Sequence, residues 1–193
     1  MPFYSGVLTI AMLVKFRLRR LKQLRTAKAE EEAEDVHDTV FGAMDGMICT
    51  MAVISGVAGA TSDNTIILIA GIAALLAEAV SMGFSGYMSD KLREGILAAK
   101  RIKDYEKPER ESIMLLLTTL GGGILILIPF AIFIPEPLTW SILLAGFLLF
   151  GLGARFAKLA KRNALIGGIE TMTFGMFAAA VTYFVGYVFA LVA

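Results

Sequence analysis

The stretch HDTVFGAMDGMIC, residues 37–49, places two aspartates at the beginning of a segment that is otherwise apolar. The apolar character continues to residue 60, which is long enough for a helix that crosses a bilayer. A carboxylate at bilayer depth is costly unless it faces a bundle interior, a wet cavity or a partner. The stretch therefore predicts a membrane helix with a functional polar face.

The composition of the whole chain agrees with a membrane protein. Hydrophobic residues make up 57% of the sequence, and several apolar runs exceed the length of a buried core helix. The net charge of +1 and the scattered basic blocks give no basis for a nucleic-acid partner. The single cysteine excludes an intrachain disulfide. We therefore predict an all-α integral membrane protein.

Five apolar segments are each long enough to cross a hydrocarbon core of about 30 Å. They run over residues 39–60, 65–89, 112–134, 138–157 and 164–192. The polar turn GATSDNT joins the first two segments, and IPEPLT, whose prolines stop a helix, joins the third and fourth. The sequence thus predicts a five-helix transmembrane domain over residues 38–193, with two hairpins and a short cytoplasmic loop at 90–111.

The basic residues predict the orientation of these spans. All 18 lysines and arginines fall within residues 15–28, 91–110 and 155–162, and the predicted topology puts these three blocks on one side of the membrane. By the positive-inside rule that side is cytoplasmic, so both hairpin turns and the C-terminus are expected on the opposite side. The compact chain favours a prokaryotic cell membrane.

Residues 1–37 form a separate N-terminal segment in this prediction. About a dozen apolar residues precede Lys15, which is short for a span, and a mixed apolar and basic stretch follows. We predict an amphipathic helix at the interface of an anionic membrane surface. The alternative is that residues 1–16 belong to a sixth, tilted span.

Two of the spans carry polar stripes at helical spacing. The stripe of the first span consists of Asp38, Gly42, Asp45, Cys49, Ala52 and Gly56, and that of the second contains Glu78, Met82, Ser85 and Ser89. Carboxylates combined with a thioether or thiol favour softer divalent metals such as Fe2+ over magnesium or calcium. A mixed iron or manganese site at Asp45, Glu78 and Met82 is therefore predicted, the alternative for Met82 being core packing.

Two further sets of acidic residues are candidates with structural alternatives. Glu170, in the fifth span, is either a proton-coupling carboxyl, like Asp45 and Glu78, or a carboxyl that hydrogen-bonds a neighbouring helix. The acidic run before the first span either attracts cations to the cytoplasmic entrance or compensates the preceding basic run and the helix dipole. The residues of this run are Glu30, Glu31, Glu32, Glu34, Asp35 and His37.

Three motifs resemble a known family. They are FGAMDGMICTMAVISGVAGA, then GIAALLAEAVSMGFSGYMS after a short turn, and TYFVGY in the last span. Their order is similar to that of the vacuolar iron transporter family, in which an Asp-Gly step opens the first helix and Ser-Met-Gly lies in the second. The resemblance covers residues 38–193 and depends chiefly on MDG and SMG.

The resemblance implies a fold and an activity. It implies a homodimer of five-helix protomers that moves Fe2+, and often Mn2+, out of the cytosol in exchange for protons. The ion path is then expected between the protomers, with Asp38, Asp45 and Met82 as ligands. Two-fold symmetry would double the ligands that one chain offers. The metal is the transported substrate, no permanently bound cofactor is implied, and the bilayer, metal ions and protons are the other expected partners.

The chain departs from the family pattern at three places. Ala74 stands where family members commonly carry a glutamate, and the carboxylate is Glu78, about one helical turn or 6 Å further on. Gly86 stands where many relatives have a glutamate. Between the second and third spans, the chain has a short basic connection instead of the usual glutamate-rich metal-binding domain. We thus predict a variant without cytoplasmic iron storage.

A rival prediction from another functional class is a non-transporting scaffold or regulatory subunit, whose buried acids pair with basic residues of a partner. An enzyme is not predicted, because the sequence contains no histidine cluster for a di-iron site, no Gly-rich phosphate loop between a strand and a helix, and no nucleophile paired with a base.

Overall fold

A computed structural model of the chain describes residues 36–99 and 108–192. This part of the chain is built from five helices and contains no strand. The helices are α1 (Val36–Ala60), α2 (Asn64–Ala99), α3 (Pro108–Ala131), α4 (Pro137–Leu159) and α5 (Ala164–Val192). All five are long and apolar enough to cross a membrane. The predicted five-helix transmembrane fold is thereby confirmed, whereas the predicted N-terminal helix lies outside the described residues.

The turn between α1 and α2 is closed by an aspartate. The carboxylate of Asp63 accepts hydrogen bonds from the backbone N–H groups of Thr65 at 2.8 Å and Ile66 at 3.3 Å. These N–H groups have no partner within their own helix, and an aspartate before the helix is a preferred cap for them. The cap fixes the beginning of α2 immediately after α1, as a short hairpin requires.

The turn between α3 and α4 contains two residues in the left-handed region. Phe133 has φ 53° and Glu136 has φ 50°, so neither continues a right-handed helix. The helix consequently ends at Ala131, although the predicted span continued to residue 134. Pro137 begins α4, where its fixed φ suits the first helical position and its missing N–H is not needed.

The predicted cytoplasmic loop at 90–111 is helical at both ends. Helix α2 continues to Ala99, ten residues beyond the predicted span, and α3 begins at Pro108. The extension DKLREGILAA is dominated by good helix formers, which explains why polarity alone does not stop the helix. The membrane boundaries of the spans themselves remain predictions, since a helix can continue into water.

Helix α1 is packed against several of the other helices. Met47, Met51 and Ile54 are 3%, 0% and 0% exposed and belong to the main apolar core. At Gly46 an added Cβ would overlap the backbone of Thr119 in α3, and at Gly59 it would overlap the backbone of Tyr183 in α5. The small residues of α1 therefore allow the close helix approach that is typical of membrane bundles.

From α2 onwards, each described helix packs on the next one in the chain. Helix α4 packs closely on α5, where Gly153 and Ala157 face Gly167 with almost no space for a larger side chain. Helix α2 packs on α3, and α3 in turn contacts α4. One buried hydrogen bond joins α4 to α3, donated by the hydroxyl of Ser141 to the carbonyl of Ile126 at 2.8 Å.

The outer surface of the bundle is apolar. Large side chains such as Phe84, Phe147 and Phe174 are 60%, 76% and 67% exposed, and each lies on a different helix. A soluble domain rarely presents such large apolar areas to water, whereas a lipid bilayer solvates them. The described residues are therefore those of a multi-pass membrane protein.

Candidate metal centre

Three potential metal ligands from two helices meet between α1 and α2. Asp45 and Cys49 lie one turn apart on α1, and Glu78 lies on α2. Their ligating atoms all lie within 4.8 Å of one another. We call these three residues the acid–thiol cluster.

The hairpin geometry explains why the cluster forms. Asp45 lies 15 residues before the end of α1, and Glu78 lies 14 residues after the start of α2. At 1.5 Å per residue, both are about 21 to 23 Å from the turn that joins the two helices. Because the hydrocarbon core is about 30 Å thick, this height is within it and nearer to the predicted cytoplasmic side.

The spacing of the cluster suits a shared metal ion. The Cys49 thiol donates a hydrogen bond to Oδ1 of Asp45 at 3.8 Å. With bonds of about 2.3 Å to sulfur and 2.1 Å to oxygen, two ligands of a tetrahedral ion are roughly 3.6 Å apart. The sulfur and the carboxylate oxygen are thus already separated by the distance that a common ion requires.

The cluster is only partly enclosed by one chain. Asp45, Cys49 and Glu78 are all of intermediate burial. Within the described residues, neither carboxylate forms an ion pair with a lysine or arginine. A pair of acids at this depth, half accessible and without a basic partner, is an arrangement that a cation would stabilise.

Glycines on both helices allow α1 and α3 to approach closely. A Cβ at Gly42 would contact the hydroxyl of Thr118, and one at Gly122 would overlap the backbone of Ala43. Gly123 faces Leu75 and Thr50, whereas Gly121 has open space. The close approach of α1 to α3 leaves another face of α1 for the side chains of Asp45 and Cys49.

Not every predicted residue lies in the acid–thiol cluster. Asp38 is seven residues before Asp45 on α1, about two turns away, and is not a member. Met82 is one turn beyond Glu78 on α2, so its predicted role as a ligand stays a prediction. His37 lies at the start of α1, and the acidic residues 30–35 are outside the described part of the chain.

Glu170 lies in a different environment. Its carboxylate pairs with the guanidinium of Arg162 at 3.3 Å, and both side chains are more than half exposed. The arginine belongs to the connection before α5, where Asn163 caps the helix through a 3.0 Å hydrogen bond from the N–H of Leu165. The structure thus gives Glu170 a surface ion pair, close to its predicted structural alternative.

Cys49 is the residue that the predicted ligand set omitted. Its position on the stripe of α1 was visible from the sequence, because it follows Asp45 by four residues. The sequence did not show whether its thiol or the thioether of Met82 would approach the carboxylates. That choice depends on the rotation of α1 relative to α2, which periodicity on one helix does not determine.

The fold and the cluster define a class: a polytopic membrane protein with potential metal ligands within the depth of the bilayer. The family model described as VIT family matches residues 36–106 and 91–187, which together cover nearly all of the described helices. The chain belongs to the VIT family. The resemblance predicted from MDG and SMG is confirmed by this match.

Curated relatives are similar over shorter stretches. "Vacuolar iron transporter 1" of Arabidopsis thaliana is 35% identical over 91 residues, which are 45% of this chain and 36% of the relative. "Vacuolar iron transporter" of Plasmodium falciparum is 38% identical over 76 residues, 39% of this chain and 28% of the relative. "Vacuolar iron transporter" of Centaurea cyanus is 43% identical over 58 residues, 30% of this chain and 24% of the relative.

These similarities have a limited span. The aligned regions cover 36%, 28% and 24% of the lengths of these three relatives. The relatives are named vacuolar and come from plants and Plasmodium, so they give no support to the prediction of a prokaryotic cell membrane. Their names are those of transporters, which agrees with the prediction of a non-enzymatic protein.

Proposed function

We propose that the protein transports divalent transition metal, Fe2+ and also Mn2+, out of the cytosol in exchange for protons. The observation that carries this proposal is the acid–thiol cluster, which places two carboxylates and a thiol within 4.8 Å of one another between two helices of a membrane bundle. Membership of the VIT family and the names of the relatives support iron as the substrate.

The carboxylates supply both binding and coupling. An ionised acid in an apolar site is costly, so it is stabilised either by a proton or by a bound cation. Occupation by a metal ion therefore expels protons from the cluster, and release of the metal lets protons return. Two protons leave for each dication that binds, which keeps the charge of the site constant.

A homodimer is part of the proposal. The cluster is of intermediate burial in one protomer, although it lies at a depth where the alternative neighbour is hydrocarbon. A second copy related by a two-fold axis would cover this face and bring a second set of ligands towards the same ion. Asp38 and Met82, on the same helices, would complete the path.

The proposed path begins at the cytoplasmic side. The acidic run from Glu30 to Asp35 precedes α1 directly, and His37 and Asp38 lie in the first turn of that helix. Negative charge at a pore entrance raises the local concentration of cations. Capture there, followed by binding at Asp45 and Glu78, gives the direction of transport.

The experiment that tests the proposal is metal flux in proteoliposomes. Wild-type protein is reconstituted with an imposed proton gradient and a pH-sensitive dye inside, and uptake of Fe2+ and Mn2+ is followed together with the proton signal. Metal flux opposed by proton flux, and lost in Asp45→Asn, is expected. Asp63→Asn is the matched control, because this aspartate caps α2 at the far end of the hairpin and asparagine caps equally well.

Two results contradict parts of the proposal. Wild-type rates of Fe2+ flux in folded Asp45→Asn protein would remove the central role of the cluster. No flux of either metal from folded wild-type protein would favour the rival function, a scaffold or regulatory subunit. The next measurement would then be a binding titration of the same protein with basic helical peptides taken from a partner protein.

A further inference from the structure

We propose, on the basis of the function proposed above, that Cys49 is a ligand of the transported ion and makes the site prefer sulfur-binding metals over Mn2+. The preferred class is Fe2+, Co2+, Zn2+ and Cd2+. Asp45 and Glu78 alone would form an oxygen site with little discrimination, so the thiol is the residue that determines specificity.

The hydrogen bond of Cys49 distinguishes it from the other small polar residues of the bundle. Thr118, Thr171 and Thr182 each return their hydroxyl to a carbonyl of their own helix, at 2.8, 2.9 and 3.0 Å. This is the ordinary use of a short polar side chain in a membrane helix. The Cys49 thiol instead donates to a side-chain carboxylate, which directs its sulfur towards the acids.

A second helix independently supplies the third group. Glu78 arrives from α2 at the same height as Asp45, and its carboxylate lies within 4.8 Å of the Cys49 sulfur. Repulsion between two acids would separate them unless a proton or a cation lay between them. The thiol therefore lies beside a position where positive charge is stabilised.

The chemistry of sulfur then determines which cation is favoured. A thiol loses its proton as it forms a bond to a metal, and the resulting thiolate binds soft and borderline ions far better than hard ones. Mn2+ is at the weak end of the series for divalent first-row metals, below Fe2+ and Co2+. Replacing one oxygen ligand by sulfur widens that difference.

The sole cysteine of the chain makes a direct spectroscopic test possible. Metal-free full-length protein in lipid nanodiscs is titrated with Co2+, and the sulfur-to-cobalt charge-transfer absorption is recorded. The band is expected in wild type and is expected to disappear in Cys49→Ser. Asp45→Asn is expected to weaken it, because the aspartate shares the ion.

A second control tests whether the charge-transfer band depends on the position of the thiol or only on its presence in the chain. Cys49→Ser combined with Ala60→Cys keeps one thiol but moves it to the exposed end of α1. This double variant is expected to lack the charge-transfer band. If Cys49→Ser fails to fold, the wild-type protein gives the same answer without a variant. Cd2+ is expected to protect the Cys49 thiol from an alkylating reagent, whereas Mn2+ at the same concentration is expected not to protect it.

Competition in the flux assay measures the consequence for selectivity. We expect Cys49→Ser to reduce the preference for Cd2+ over Mn2+ by at least about tenfold. Loss of an outer-shell partner of a metal site already costs about tenfold or more in affinity, and a direct ligand contributes at least as much. Mn2+ flux itself is expected to persist.

The outcomes separate this inference from the proposed function. Saturable Co2+ binding that depends on Asp45, without a charge-transfer band, would overturn the role of Cys49 and leave transport by the acids intact. A band that persists in Cys49→Ser would also overturn it. A band in a protein that shows no flux would support Cys49 as a ligand while contradicting transport.

Discussion

Glu78 and Glu170 are both carboxylates in long apolar helices, yet the structure gives them different neighbours. Glu78 joins Asp45 and Cys49 between α1 and α2. Glu170 pairs with Arg162 at the exposed start of α5, where the two side chains are 60% and 54% exposed for the arginine and glutamate respectively. The neighbours of an acid in a membrane span therefore decide whether it is a candidate for function. Glu170 has a nearby counter-charge, whereas Glu78 has none among the described residues.

The largest expected effect comes from removing the charge of each glutamate in turn. Glu78→Gln is expected to reduce metal flux by about a hundredfold or more, because a ligand contributes at least as much as an outer-shell partner. Glu170→Gln is expected to keep flux within about twofold, since its charge is compensated at the surface. Initial rates in proteoliposomes check both, and equal losses in the two variants would end the distinction.

A smaller effect is expected from filling two close helix contacts, that of α1 with α3 and that of α4 with α5. A Cβ at Gly46 would overlap the backbone of Thr119, and one at Gly153 would overlap the backbone of Gly167. Overpacking of this kind costs about 1 to 3 kcal/mol. Both alanine variants should unfold at lower temperature in detergent, but only Gly46→Ala, beside Asp45, should also lower flux.

Gly121→Ala is the matched control for these two variants. A Cβ added at Gly121 would meet no atom of another helix within 4 Å, although Gly121 belongs to α3, the helix that Gly46 contacts. Its unfolding temperature is expected to equal or exceed that of wild type, because alanine favours a helix more than glycine. A clear loss of stability here would show that the glycine run has a role besides packing.

The hydrogen bond between α3 and α4, the two helices of the second hairpin, is expected to contribute less. Ser141→Ala removes the donor to the carbonyl of Ile126 in the buried contact between α4 and α3. We expect a loss of about 1 kcal/mol in the free energy of unfolding and unchanged flux. Ser141→Thr, which keeps a hydroxyl, serves as the comparison, and an unaffected alanine variant would show that the bond is dispensable.

The smallest effect belongs to the surface ion pair. A double-mutant cycle with Arg162→Ala and Glu170→Gln measures the coupling free energy between the two side chains. Because both are more than half exposed, the coupling is expected to be below about 1 kcal/mol and to fall with added salt. A strong, salt-independent coupling would mean that the pair is covered by another molecule in the membrane.

The sequence was sufficient for the main features of the fold. Run length gave the five helices, and the prolines of IPEPLT gave the second hairpin, because both signals act locally. The ends were less predictable: α3 stops at Ala131 where Phe133 adopts a left-handed conformation, and α2 continues to Ala99 through polar residues that favour a helix. These ends depend on the backbone state of single residues, which hydropathy does not report.

The candidate site was predictable in part for a different reason. Asp45 and Glu78 were identified because charge in an apolar span is informative wherever it occurs. The pairing of Arg162 with Glu170 depends on the conformation of the connection before α5, whereas the place of Cys49 in the acid–thiol cluster depends on the rotation of α1 against α2. That rotation follows from close contacts such as Gly46 with Thr119, and a single sequence does not reveal which small residues make them.

The uninterrupted helix α2 has a mechanical consequence. Glu78 and Ala99 belong to one continuous helix, and Ala99 lies 21 residues, or about 32 Å, beyond Glu78. A tilt of the helix by about 10° around Glu78 would displace its C-terminal end by roughly 5 Å. Any change in the tilt of α2 at Glu78 thus produces a larger displacement where the helix leaves the bilayer. A distance probe attached at Glu94 would report that displacement.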